Sequence, residues 1–164
     1  MGSSGRLADR ALPFYMPPVT SPLYTRDILR LAASIPYLGR LADPLASVEK
    51  HSPICGSRVV VDLVIDEAGR VAALGQEVRA CALGQASAAL MGAHAIGRAP
   101  DEIAEARDAL AGFLAGARED PGGWPGLAVF REARAYPARH AAILLAFDAA
   151  AEAAGRAAAL AAAR

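Results

Sequence analysis

Whatever metal or sulfur chemistry this chain of 164 residues performs rests on two cysteines and three histidines. Cys55 lies in "SPICGS", at a turn just before the strongest strand-like run, and Gly56 lets the backbone there pass close to another group. Cys81 lies in "EVRACALGQASAALM", after an alternating run and before a helix of small residues. Unpaired amides at a helix start stabilise a thiolate, the form that binds metal or attacks the sulfur of a persulfide. Cysteine is also often buried as a small hydrophobe, so spacing alone leaves both readings open. His140 offers an imidazole, a legitimate ligand for zinc or for iron of the Rieske type, or else lines a helix start. His51 is read as a polar turn residue, although it stands four positions before Cys55. His94 is read as a surface residue, and Trp124 in "GGWPG" as an exposed aromatic or an anchor for its loop.

Two strands and a helix must position these groups. In "RVVVDLVID", Val59, Val61, Leu63 and Ile65 alternate with Arg58, Val60, Asp62, Val64 and Asp66, the period of a strand. "DEAGR" is a short turn with Gly69, and "VAALGQEVRA" returns, so residues 58 to 80 read as a hairpin. Two cysteines that open and close such a hairpin can converge at one end of the sheet. A short strand is expected in "ASVEKHSPICG", and helices at about 82 to 95, over "APDEIAEARDALAGFLAG", and from Pro137 onward. An earlier helix in "SPLYTRDILRLAASI" is expected to start with Ser21 as cap and Pro22 first. Strands followed by helices predict an α+β fold, a small antiparallel sheet of about three strands with helices packed on one face. Residues 1 to 20, rich in Gly, Ser and Pro, are expected to be a flexible segment ahead of a domain over 21 to 150. Residues 151 to 164 are expected to form an Ala-rich helical tail that runs out into solvent.

Composition narrows the function. Basic and acidic residues are equal at 17 each, which argues against a nucleic-acid partner held by bulk electrostatics. Lys50 is the only lysine, and the arginines are interspersed with acids in the pattern of a solvated face. No run reaches the roughly 18 uncharged apolar residues of a membrane helix, and the opening residues have no apolar signal core. A cytoplasmic, reducing compartment is therefore expected, where the cysteines serve as thiols or ligands more readily than as a disulfide. Aromatic residues make up only 5% of the chain against 54% hydrophobic, so small side chains and close helix packing must build the core. There is no nucleophile–base constellation, no GxGxxG after a strand and no P-loop, and the expectation is a protein that is not an enzyme.

Four segments, in order, carry a resemblance. "LYTRDILRLA", "CGSRVVVDLVIDEAGRV", "RACALGQASAALM" and "YPARHAAILLAFDA" together span about residues 23 to 150. They resemble the opening Tyr-containing helix, the Cys-Gly-Asp segment with its strand, the Gly-Cys-Ala-x-Ser-x-Ala-Ser stretch and the Pro-x-Arg/Lys-x-x-Cys segment of the U-type iron–sulfur cluster assembly scaffold family. This is the fold shared with the NifU N-terminal domain.

The resemblance implies a scaffold or carrier that receives sulfur from a cysteine desulfurase, builds a [2Fe–2S] cluster on three cysteines and an aspartate, and passes it to recipient proteins. Carried over by position, Cys55 and Cys81 match the first two ligand cysteines. The aspartate is Ser57 here, and the third cysteine, counted from Pro137, falls on Ala142. His140 stands two residues earlier, about 200° away on a regular helix, and is the candidate replacement. Ser87 keeps a family serine, while Gly84 replaces another. Two thiols per chain make a cluster-bridged homodimer one expectation, because a [2Fe–2S] cluster wants four ligands. A zinc-binding sulfur acceptor using Cys55, Cys81 and His140 is the alternative, as is a cluster-free interaction protein.

Overall fold

A computed structural model of the chain describes residues 23–54 and 56–164. The segment over 1 to 20, the helix start at Ser21 and Pro22, and Cys55 lie outside the described residues. Helix α1 spans Arg26–Ala32 and is capped by Thr25, whose hydroxyl accepts from the Ile28 amide. Strands β1 (Ala46–His51), β2 (Arg58–Ile65) and β3 (Val71–Arg79) form one antiparallel sheet in the order β1-β2-β3. Helices α2 (Ala82–Ala95), α3 (Pro100–Leu114) and α4 (His140–Ala162) follow, with 3₁₀ turns at Leu127–Ala135 and Pro137–Arg139 before α4. The chain is thus the α+β fold its patterning predicts. Among the described residues, no helix is long and apolar enough to cross a membrane.

The alternation in β2 sorts its side chains between two faces. Val59, Val61 and Leu63 are completely buried and join Val48, Leu74 and the helices in one core. Cross-strand pairs Val48–Val61 and Leu63–Leu74 fix the register, and a slip by one residue would turn Asp62 inward. The β2–β3 turn closes where Gly69, at φ 79°, donates its amide to the Asp66 carbonyl. Helix α2 packs on β3, α1 and α4, and α4 also crosses β1 and β2. Ten of the 14 residues of α2 are buried, so it is apolar nearly all round, and its Ala and Gly content lets its neighbours approach closely. Ser87 in its centre satisfies its hydroxyl by donating to the Ile143 carbonyl of α4.

The opposite face of the sheet carries Val60, Asp62 and Val64 of β2, of which Val60 and Asp62 are buried. The connector after α1 lies along the β3 edge, where the Gln76 amide donates to the Tyr37 carbonyl and the Gly39 amide to the Gln76 carbonyl. Arg40 then reaches the fully buried Asp62 with two hydrogen bonds, 2.7 and 3.1 Å, and the Leu41 amide adds a third at 3.0 Å. Burial pushes the Asp62 carboxyl up, but the bonds from Arg40, Ser47 and Leu41 outweigh it and hold the carboxyl below its ordinary range.

Of the two expectations for Trp124 the loop anchor holds, and the expectation for the alanine tail changes. Trp124 is buried, donates its indole N–H to the Leu90 carbonyl at 2.9 Å and packs edge-on against Phe147, so it anchors its loop to α2 and α4. The alanine-rich tail stays buried on one face through Ala149, Ala150, Ala153, Ala154 and Ala157, while Gly155, Arg156 and residues 159 to 164 are exposed. Alanine methyls fit there because β1, β2 and α3 come close to the helix, which larger side chains would hold off.

Candidate functional site

One end of the sheet brings Cys81 beside Gly56 and Ser57 of the β1–β2 connection. The register places His51, Arg58 and Arg79 side by side across the three strands at this end. The β1–β2 connection turns here, with the Ser52 amide donating to the Ser57 carbonyl at 2.8 Å and the Gly56 amide to the Ser52 carbonyl at 3.0 Å. Gly56 is needed for its φ of 69° and not for close approach, since nothing lies within 4 Å of its Cβ position. At the same end β3 finishes at Arg79, and two residues later Cys81 is the N-cap of α2.

Cys81 is half-buried, with extended backbone at φ −65° and ψ 170°. Its carbonyl accepts the Gln85 amide, while no side chain fills the cap role. An open groove of about 460 Å³ runs past it, lined by Gly56, Ser57, Val78, Arg79, Ala80, Cys81 and Gln85. Of these residues only Arg79 carries a charge. The thiol is therefore reachable and set between the loop that contains Cys55 and the first turn of α2, an arrangement suited to accepting a sulfur atom or a metal ion. Arg79 and Gln85 also line the groove; Gln85 follows from the helical step of four from Cys81, whereas Arg79 takes its meaning from the register with Arg58.

The other candidates are placed as follows. His51 is exposed and its Nε2 lies 2.7 Å from Glu49. His94 is half-buried and meets the edge of the Trp124 ring at a centroid distance of 6.4 Å. His140 is the first residue of α4, half-buried, with its Nε2 2.9 Å from the Ala133 carbonyl. A carbonyl can only accept, so Nε2 carries the proton and Nδ1 is left as an acceptor, the arrangement that ligating histidines commonly use. Ala142 is 1% exposed and faces α2, where its carbonyl lies 3.1 Å from the place a Cβ on Gly84 would take. Ser57 is buried and has a partner. Among the described residues, no three of His, Cys, Asp and Glu gather where they could hold a metal ion.

A second cavity, of about 360 Å³, lies between α3 and the loop before Trp124. Most of its charges are engaged: Glu102 takes Arg98, Arg70 and the Ala99 amide, and Arg118 takes Asp120. Across the cavity the Arg98 guanidinium lies over the Trp124 ring, 4.9 Å from its centroid.

Comparison with solved structures decides the family. The chain is similar to the crystal structure of a nitrogen-fixing NifU-like protein (N-terminal) from Brucella abortus, with 39% identity and a TM-score of 0.75 over 83% of this chain and 94% of that one. It belongs to the U-type scaffold family, as a NifU N-terminal-like member. This scaffold-family chain also shares its fold with a protein assigned as an iron–sulfur cluster assembly scaffold for the SUF system from thermophilic Fervidobacterium islandicum AW-1, at 21% identity and TM-score 0.74, over 80% and 96% of the two chains. A hypothetical protein matches at 20% identity and TM-score 0.71, over 79% and 94%. No family model and no curated protein matches the chain. In this family member Cys81 and Ser57 line an open groove, and Ala142 is buried.

Proposed function

We propose that this U-type family member is a scaffold or carrier for iron–sulfur assembly. It accepts sulfur on Cys81 from a cysteine desulfurase and holds iron or a [2Fe–2S] cluster, as cargo, through Cys55 and Cys81. The observation that carries the reading is the combination of 39% identity to the NifU-like domain with an accessible cysteine at the second ligand position. The chain hands cargo to recipient proteins and works in the cytoplasm as a carrier, with no turnover of its own. Sulfur arrives by attack of the Cys81 thiolate on the outer sulfur of a persulfide.

One chain offers two thiols where a cluster wants four ligands. A metal ligand at 142 would have to come from a side chain that is a buried methyl here. The cluster-loaded state is therefore a dimer in which each copy supplies Cys55 and Cys81. A zinc form is the second reading, favoured by His140, whose bond to the Ala133 carbonyl leaves Nδ1 available as a third ligand.

The test is sulfur transfer from a desulfurase loaded with cysteine. After alkylation and digestion, the Cys81 peptide should carry one added sulfur atom, and Cys81→Ala should accept none there. Wild-type protein that stays unmodified beside an active desulfurase would refute the acceptor role.

A further inference from the structure

We infer that Arg79 makes the Cys81 groove selective for anionic sulfur donors, a role that rests on the sulfur-acceptor reading above. The register sets Arg79 directly opposite Arg58, two like charges on one face of neighbouring strands. Like charges so placed destabilise a sheet unless an acid intervenes. The nearby acids serve groups other than Arg79. Glu49 takes Arg58 at 2.7 Å and His51 at 2.7 Å, and Glu77 sits 3.7 Å from Arg40. Arg79 is exposed and forms no ion pair among the described residues, and it is the one charged residue lining the groove.

A persulfide carries its negative charge on the sulfur that Cys81 must reach. Without help, a thiolate and that anion repel each other. The transfer balances as Cys81–SH + R–S–S⁻ → Cys81–S–S⁻ + R–SH. The bond from Cys81 Sγ to the outer sulfur forms, and the donor S–S bond breaks. The freed electron pair stays on the donor sulfur, which receives the Cys81 proton, with no net oxidation. The Arg79 guanidinium offsets the charge on the incoming sulfur and keeps doing so once that sulfur sits on Cys81.

The test compares two alkylating agents on the full chain. Iodoacetate is an anion and iodoacetamide is neutral, and both attack the same thiolate, so their product ratio at Cys81 is independent of how much of the thiol is ionised. The ratio is read by mass spectrometry of the Cys81 peptide. Arg79→Gln is expected to lower the carboxymethyl share about two- to fivefold, the effect of one unit charge at or near contact in water. Arg79→Lys should keep the wild-type ratio, and Arg58→Gln should barely move it, because Glu49 neutralises Arg58. Added salt should lower the wild-type ratio towards that of Arg79→Gln. An unchanged ratio in Arg79→Gln overturns the proposal. Glutathione persulfide as donor then separates the two claims. Transfer to wild type that slows by a similar factor in Arg79→Gln supports both. A shifted alkylation ratio with no transfer to wild type leaves the charge on the groove established and refutes the acceptor reading. Transfer that is equally fast in both proteins refutes the role of Arg79 alone.

Discussion

Gly84 tests whether Cys81 is held by packing. A Cβ at this position would lie 2.7 Å from the Ala80 Cβ and 3.1 Å from the Ala142 carbonyl oxygen, so α2, α4 and the end of β3 meet there with no room for a methyl. In Gly84→Ala the helix gains at most about 1 kcal/mol of propensity. Overpacking against the backbone and the Ala80 methyl costs about 1–3 kcal/mol. The net is a loss of about 1 kcal/mol. Gly155, in α4, has nothing within 4 Å of its Cβ position, and Gly155→Ala should gain the full propensity, about 1 kcal/mol. The two variants should therefore differ by about 2 kcal/mol, or about 6 °C in Tm for a chain of this size. Urea denaturation and thermal melting followed by circular dichroism read both. Because Ala80 precedes Cys81, Gly84→Ala should also change the alkylation rate of Cys81, and Gly155→Ala should not. Equal stabilisation by the two substitutions would refute the close approach of α2 and α4.

Further outcomes follow from single groups. Asp62 has its carboxyl held low, so its contribution to stability is present above the unfolded value near 3.8 and is lost as pH falls through the lower folded value. Asp62→Asn should lower Tm at pH 7 and flatten the fall in stability below about pH 4, and an unchanged acid limb would contradict the pairing with Arg40. Asp148 behaves oppositely. Burial raises its carboxyl, with Asp108 and Glu152 adding to the rise and Arg107 and Lys50 opposing it. Its contribution is present below about pH 4 and lost as pH rises through the raised value, so Asp148→Asn should raise Tm at pH 7, and a lower Tm would refute this. Trp124→Phe keeps a ring against Phe147 but loses the bond to the Leu90 carbonyl, and should cost about 1 kcal/mol in urea denaturation. No measurable loss would show that the loop does not depend on that bond.

Much of the architecture was legible in the chain. Alternation along 58 to 66, the Gly69 turn and the small-residue run after Cys81 determine the hairpin and α2 almost to the residue. What escaped notice depends on distant partners. Asp62 reads as the solvent side of a strand, and only the connector carrying Arg40, 22 positions earlier, explains its burial. Trp124 reads as an exposed aromatic or a loop anchor, and the Leu90 carbonyl beside it decides for the anchor. The alanine tail has too few large side chains to signal burial, because its core contribution comes from how closely its neighbours approach. At the site, Cys81 was legible as a strand-to-helix junction, whereas Arg79 was not, since its meaning lies in the cross-strand register with Arg58.

The account stands most directly on anaerobic reconstitution with iron and sulfide, followed by visible absorption, metal content and native mass. It predicts a sulfide-to-iron absorption band in the wild type, carried by a species with the mass of two chains and one cluster, and absent from Cys81→Ala. A band that survives in Cys81→Ala, or wild-type protein that retains neither iron nor zinc under reducing conditions, would contradict it.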